Sequence, residues 1–257
     1  MRIVKVRDVQ IGEGIPKIIV PIVGRTKQEI IEGIESVLPL KPDIMEWRVD
    51  FFEDVRDIHT VELLLMRIRE KLANVPLLFT FRSYREGGQI EISGDYYQAL
   101  LTRAIQTKLI DLVDIELFSG DIIVNQLVAL ATQKGVFTVI SNHDFQATPT
   151  KDEMISRLQK MQELGADIPK LAVMPKDTQD VIALLDATNT MRTKYADRPF
   201  VTISMGEEGL VSRLVGEVFG SAATFASGGR ESAPGQIPVS PLRSVLEIFH
   251  HDKDEPN

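Results

Sequence analysis

"FTVISNHDFQATPTKDEMISRLQKMQELGADIPKLAVMP", residues 137–175, decides the fold. "FTVISNH" (137–143) and "IPKLAVM" (168–174) are short, mainly apolar runs and read as buried strands. Between them "TKDEMISRLQKMQELG" (150–165) opens on Thr150 and Glu153 in capping-box spacing and stops at Gly165, so it reads as a helix. Strand, helix and strand in succession imply two parallel strands joined by a crossover. One residue breaks the apolar pattern of the second strand. Lys170 sits among Leu171, Ala172 and Val173, and lysine is almost never buried unless it is paired or has lost its charge.

The same unit repeats outward in both directions. Further strands are read at "KIIVPIV" (17–23), "IMEWRVD" (44–50), "LLFTFR" (77–82), "LVDIEL" (112–117), "FVTIS" (200–204) and "ATFAS" (223–227). Helical stripes fill the gaps at 27–38, 60–72, 95–107, 121–135, 177–195, 207–220 and 241–251. Eight strands alternate with eight helices at about 32 residues per unit, the size of a βα repeat. Eight such units in about 250 residues predict an α/β protein with the (β/α)8 TIM-barrel fold. An open doubly wound sheet is the competitor, but no GxGxxG turn follows the first strand. "RIVKVRDVQIGEG" precedes the first strand, and about residues 1–16 are expected to form a hairpin covering one barrel end. No linker interrupts the pattern, so 1–257 is expected to be one domain, with a frayed polar tail over about 252–257.

Composition narrows the function. The net charge of −8 and scattered basic residues argue against nucleic-acid binding. Hydrophobic residues at 44% and charged residues at 26% are ordinary for a globular protein. The chain has no cysteine, which excludes disulfides, thiol nucleophiles and thiolate metal sites and is compatible with the cytoplasm. The first twenty residues contain no apolar signal-peptide core, and no run approaches the ~20 apolar residues of a membrane span.

In a barrel, alternate strand residues point inward and active sites form at the C-terminal strand ends. Glu46, Arg48 and Asp50 share one face of their strand, opposite Met45, Trp47 and Val49. Thr80 and Arg82, Asp114 and Glu116, then His143, then Lys170 repeat that arrangement on later strands, and Glu86 follows in the loop "SYREGG". Any one of these is most simply a solvated strand end. Together they cannot all be edges, because a closed barrel has none, so they are expected to converge on one pocket.

The residue types then suggest chemistry. A neutral lysine attacks carbonyl carbon to give a Schiff base, which acidifies the neighbouring C–H. Histidine can move the released proton near neutral pH. A carboxylate such as Glu86 can fix its tautomer, and arginines can grip an anion. No His pair has zinc-site spacing, and Mg²⁺ on Glu46, Asp114 and Glu116 is a minor alternative. Imine chemistry on an anionic carbonyl compound covers aldolases, dehydratases and decarboxylases. The glycines of "FASGGRESAPGQ" (225–236) fit either a phosphate grip or a mobile lid.

Several motifs narrow this choice. "EWRVD" (46–50), "TFRSYREGG" (80–88), "SNHDF" (141–145), "IPKLAVMP" (168–175), "ISMGEEGLVSRL" (203–214) and "SAPGQIPV" (232–239) resemble the type I 3-dehydroquinate dehydratases, in that family's order. The resemblance implies a homodimeric (β/α)8 barrel in the cytoplasm. It implies conversion of 3-dehydroquinate to 3-dehydroshikimate in the shikimate pathway, with no metal or cofactor. It implies that Lys170 forms the imine, that His143 is the general acid and base, and that Glu86 orients His143. Arg213 and Gln236 would hold the substrate carboxylate, and Glu46, Arg48 and Arg82 its hydroxyls. Ser232, Ala233 and Gln236 would lie on a closing loop, with Met205 and Phe145 as apolar walls and Asp114 and Glu116 behind. A lid then becomes the expected role of the glycine-rich loop.

Overall fold

The computed structural model describes residues 2–229 and 232–250. In chain order its strands are β1 (Val4–Val6), β2 (Val9–Ile11), β3 (Lys17–Ile22), β4 (Ile44–Arg48), β5 (Leu77–Thr80), β6 (Leu112–Glu116), β7 (Phe137–Asp144), β8 (Ile168–Val173), β9 (Val201–Ser204), β10 (Ala223–Ser227) and β11 (Ile237–Pro238). Its helices are α1 (Lys27–Val37), α2 (Ile58–Leu72), α3 (Gly94–Thr107), α4 (Asp121–Lys134), α5 (Lys151–Glu163), α6 (Thr178–Lys194), α7 (Leu210–Leu214), α8 (Gly216–Phe219) and α9 (Val239–Phe249). Strands β3 to β10 run parallel in order and curl into the TIM-barrel-like fold that the alternation predicts. The circle closes through one bridge, Phe200 to Ser221, with Ala222 N donating to Phe200 O at 2.8 Å. Here a side chain replaces part of the ladder: Ser221 Oγ accepts from Thr202 N at 3.1 Å.

The helix faces bury one apolar layer against the outside of the sheet. Met45, Trp47, Phe79, Phe81, Val113, Ile115, Leu171 and Val173 point into it. A second layer fills the lower barrel with Ile19, Ile44, Leu78, Leu112, Val139, Ile168, Val201 and Ala223. The hairpin β1–β2 brings Val4, Val6 and Ile11 against that layer, so it closes the N-terminal end as expected. Arg7 pins it to Asp111 at 2.6 Å.

Several boundaries differ from the sequence reading. The strands read over 44–50, 77–82 and 112–117 end at Arg48, Thr80 and Glu116. Beyond them the backbone turns onto carboxylates instead of a neighbouring strand: Arg82 N donates to Asp50 Oδ1 at 3.4 Å and Ser83 N to Glu116 Oε1 at 2.8 Å. The helix read over 207–220 is two short helices. Gly216 O accepts from both Gly220 N and Ser221 N, which turns the chain toward the closing bridge. Ile237–Pro238, assigned to no strand or helix in the sequence, adds a short parallel strand beside β10. The last helix starts at Val239 and ends at Phe249; His251 and the tail 252–257 lie outside the described residues.

If the hairpin closes the barrel floor, Ile11→Ala removes a side chain that is 1% exposed. The expected cost is about 2–4 kcal/mol, lowering the calorimetric Tm by roughly 5–15 °C. An unchanged Tm would show that Ile11 does not seal the floor.

Candidate active site

Each strand repeats one vertical pattern. Ile44, Glu46 and Arg48 succeed one another on the inner face of β4, with Leu78 and Thr80 on β5 and Leu112, Asp114 and Glu116 on β6. Val139, Ser141 and His143 follow on β7, and Ile168, Lys170 and Ala172 on β8. The lowest member is apolar and belongs to the floor. Of the upper members, Glu46, Arg48, His143, Lys170 and Ala172 line a pocket of about 460 Å³ at the C-terminal strand ends, while Thr80, Asp114, Glu116 and Ser141 bond to residues of its lining. Twelve of the residues singled out by the family resemblance line the pocket: Lys170, His143, Glu86, Glu46, Arg48, Arg82, Arg213, Ser232, Gln236, Met205, Phe145 and Ala233; Asp114 and Glu116 lie outside the lining. Gly87, Ala172, Ile203 and Phe225 complete the wall.

Lys170 rises from the apolar floor and is 5% exposed. Its Nζ lies 4.9 Å above the centre of the Phe225 ring and makes a hydrogen bond with His143 Nε2. Burial pushes its pKa down to about 8, helped by the charge of Arg82 and opposed by Asp114, Glu46 and Glu86. At pH 7 roughly one amine in ten is then neutral, against roughly one in three thousand for an ordinary lysine.

His143 Nδ1 lies 3.0 Å from Glu86 Oε2, which also accepts from His143 N at 2.8 Å. Burial holds the imidazole well below its usual pKa, with Arg82, Lys170 and Arg48 adding to the effect. A neutral ring that donates from Nδ1 to Glu86 leaves the Nε2 lone pair facing Lys170. Glu86 itself is pushed up to about 7, by burial first and Glu116 second, against Arg82. The one-turn helix Tyr84–Glu86 delivers it across the strand ends. That turn needs glycine after it: a Cβ on Gly88 would lie 1.9 Å from Arg82 O, and Gly87 has φ +86°.

The arginines are held in different ways. Arg82 is buried among carboxylates, 2.9 Å from Asp114 and 2.8 Å from Glu116, and donates to Ser141 Oγ at 3.0 Å. Those neighbours outweigh burial and keep it charged. Arg48 makes a two-pronged contact with Asp50 at 2.8 and 2.9 Å, and reaches Ser232 O at 3.3 Å. Arg213, on α7 and 1% exposed, donates to Phe225 O at 3.3 Å and Pro234 O at 3.0 Å. Burial raises the pKa of Glu46, which accepts from Thr80 Oγ1 at 2.8 Å. Ser232, Ala233 and Gln236, which follow β10 in the chain, contribute to the pocket lining. Ser232 and Gln236 bond to each other twice, and Gly206 N donates to Pro234 O.

The carboxylates that the sequence offers for Mg²⁺ are each engaged by a side chain. Asp114 and Glu116 flank Arg82, while Glu46 takes Thr80. Among the described residues no group of three His, Cys, Asp or Glu side chains is placed to hold a metal ion. Strand parity places Asp50 and Thr80 among the converging residues without giving them a role, while Ser141, Asn142 and Phe225 are not singled out in the sequence. Asp50 showed a signal, since it shares the strand parity of Glu46 and Arg48. Phe225 also has inward parity, but it looks like core in a sequence.

The model of the type I 3-dehydroquinase family matches residues 18–253. The 3-dehydroquinate dehydratase of Bacillus subtilis (strain 168) is 58% identical over 250 residues, spanning 97% of this chain and 98% of that one. A crystal structure of the type I 3-dehydroquinate dehydratase of Clostridium difficile, with covalently modified comenic acid, is 51% identical at a TM-score of 0.94. The match covers 96% of this chain and 97% of that one. The 3-dehydroquinate dehydratase structure from Geobacillus kaustophilus is 38% identical at a TM-score of 0.94, with 96% of each chain covered. A 3-hexulose-6-phosphate synthase shares the fold alone, at 14% identity and a TM-score of 0.59.

The depressed lysine pKa makes a stability prediction. From about pH 8 up to the ordinary lysine value, the unfolded chain keeps a proton that the folded protein has released. Wild-type stability therefore rises with pH across that window, and below it the buried charge costs about 3 kcal/mol. Lys170→Met removes that cost. In urea titrations it is expected to be more stable than wild type at pH 7, with the advantage shrinking by pH 10. An advantage equal at both pH values would show that the amine is unperturbed.

Proposed function

The chain belongs to the type I 3-dehydroquinase family, dehydrating 3-dehydroquinate in the shikimate pathway, and on that premise we propose how its residues divide the work. Lys170 is the nucleophile, His143 the proton carrier and Glu86 its anchor. The observation that carries this assignment is the contact between Lys170 Nζ and His143 Nε2, with Glu86 on the far side of the ring.

The neutral amine of Lys170 adds to the substrate ketone, and the carbinolamine loses water to give an iminium ion. The iminium draws electrons from the adjacent C2–H bond. His143 Nε2 takes that proton, leaving an enamine, and Glu86 stabilises the imidazolium across Nδ1. Electrons of the enamine expel the C1 hydroxyl on the same face, and His143 returns its proton so that water leaves. A second water hydrolyses the conjugated iminium, which frees 3-dehydroshikimate and the amine. The net change is loss of one water, and the histidine ends as it began. Arg213, with Gln236, grips the substrate carboxylate, while Glu46, Arg48 and Arg82 meet its hydroxyl groups. Met205, Phe145 and Ala233 exclude water from the reacting carbons. The segment bearing Ser232 and Gln236 acts as the lid, which the presence of Ser232, Ala233 and Gln236 in the pocket lining supports.

We further propose that residues 1–257 form one barrel domain that works as a homodimer in the cytoplasm. Exposed apolar side chains on packed neighbouring helices support the dimer: Val211 on α7, Val218 on α8 and Ile248 on α9. Among the described residues no helix is long and apolar enough to cross a membrane.

Borohydride added with 3-dehydroquinate is expected to leave a reduced adduct on the peptide containing Lys170, detected by mass spectrometry. Lys170→Met should lose nearly all turnover in the enone absorbance assay while staying folded, and full turnover would remove Lys170 from the mechanism. His143→Ala should still trap an adduct but release product at least about a hundredfold more slowly. Arg213→Ala should raise KM for the anionic substrate by about tenfold or more. An unchanged KM would move the carboxylate grip elsewhere.

A further inference from the structure

Glu86 and His143 are held from outside the barrel wall as well as from inside the pocket. Asn142 stands between Ser141 and His143 on β7, so its side chain points to the outer face of the sheet, where helices pack. It is buried there. A buried amide must satisfy both its ends. Its Oδ1 accepts from Arg157 Nη1 at 2.9 Å, and its Nδ2 donates to Glu86 Oε1 at 3.2 Å. Arg157 lies on α5 and carries only donors, so it dictates which end of the amide it meets. The other end must then present N–H to Glu86. Arg157 is itself fixed, 2.8 Å from Glu153, 3.8 Å from Asp144 and 5.5 Å above the Phe118 ring. A relay thus runs from α5 through Asn142 to Glu86 and on to His143.

We propose that Arg157 is a positioning residue of the catalytic site, orienting the Asn142 amide so that it donates to Glu86 and keeps that carboxylate ionised beside His143. This rests on the reading of His143 and Glu86 as the acting pair. Without Arg157 the amide can turn and present Oδ1 to Glu86. The ionised carboxylate would then face an oxygen instead of a donor, and would take up a proton more readily. His143 would lose the charge that stabilises it when it accepts the C2 proton. The other charged groups facing Glu86 are Arg82, Glu116 and His143, with Lys170 beyond the ring; none is altered by the Arg157 and Asn142 substitutions below. On the outer side Glu153 and Asp144 face Arg157.

The test uses the full chain and 3-dehydroquinate, with kcat and KM followed from pH 6 to 9. Arg157→Met is expected to lower kcat about tenfold below neutral pH, to leave KM within about twofold, and to move the acid limb of the kcat profile to higher pH. Asn142→Asp keeps a partner for Arg157 but sets a carboxylate against Glu86, so it should move the limb the same way. Arg157→Lys retains a donor and should recover most of the loss. If both Arg157→Met and Asn142→Asp keep the wild-type limb, the proposal is overturned. A kcat loss that is flat with pH also overturns it, since mere structural damage would produce that. If Arg157→Met does not fold, Asn142→Asp and Arg157→Lys decide. His143→Ala, measured alongside, separates the two readings: normal turnover there removes the acting pair itself, whereas an inactive His143→Ala with a wild-type Arg157→Met removes only the relay.

Discussion

A lysine amine attacks a carbonyl only after it has lost its proton, and a protein can arrange this at neutral pH only by making the charged form costly. Burial and the charge of Arg82 serve that requirement at Lys170. The apolar floor supplied by Ile19, Ile44, Leu78, Leu112, Val139, Ile168 and Val201 removes water from below. The hairpin seals the floor, and Arg82 adds positive charge from the side. The neighbouring carboxylates limit the effect, so the amine keeps enough basicity to form and hold an iminium ion.

So much buried charge would be ruinous without pairing. Glu46, Asp50, Glu86, Asp114 and Glu116 stand among Arg48, Arg82, Arg213, Lys170 and His143 in one small volume. The barrel makes this tolerable, because neighbouring parallel strands place inward side chains at staggered heights. Arg82 can therefore reach Asp114 and Glu116 on the adjacent strand and Ser141 on the strand beyond it. Each arginine is fixed by carboxylates, by backbone carbonyls or by both. Arg82 and Arg48 are set by Asp114, Glu116 and Asp50, whereas Arg213 rests on the carbonyls of Phe225 and Pro234.

Strand parity made much of this legible. Glu46 and Arg48 opposite Met45 and Trp47, or Lys170 opposite Leu171, can be sorted into inside and outside once the outside is known to be covered by helices. Parity fails where the chain leaves the ladder. Asp50 looked like a third inward residue of a seven-residue strand, but the chain turns after Arg48, and the turn aims Asp50 back at the Arg48 guanidinium. Asn142 failed in the opposite sense. It has outward parity, which marks a packing position, yet its amide reaches the pocket's carboxylate around the end of the strand. The specific roles of Arg213, Ser232 and Gln236 were not readable from periodicity. They come from loops and a five-residue helix, and only the family resemblance singled them out.

One physical device operates at both ends of the barrel, with different results. At the N-terminal end Asp43, Asp111 and Asp167 each stand just before a strand and accept the N–H at the start of the strand that precedes it: Ile18, Leu77 and Thr138. Those carboxylates splice neighbouring strands together where the ladder begins. At the C-terminal end Asp50, Glu116 and Glu86 likewise accept backbone N–H groups, from Arg82, Ser83 and His143. At both ends such carboxylates also hold side chains: Asp111 takes Arg7 and Arg69 at the floor, whereas at the mouth the side chains held are those of the pocket, namely Arg48, Arg82 and the His143 ring. A strand-end carboxylate fixed by backbone is already ordered, so gripping an arginine or imidazole costs little further entropy. The stitching that terminates strands at the floor thus becomes, at the mouth, the means of setting catalytic groups on rigid elements.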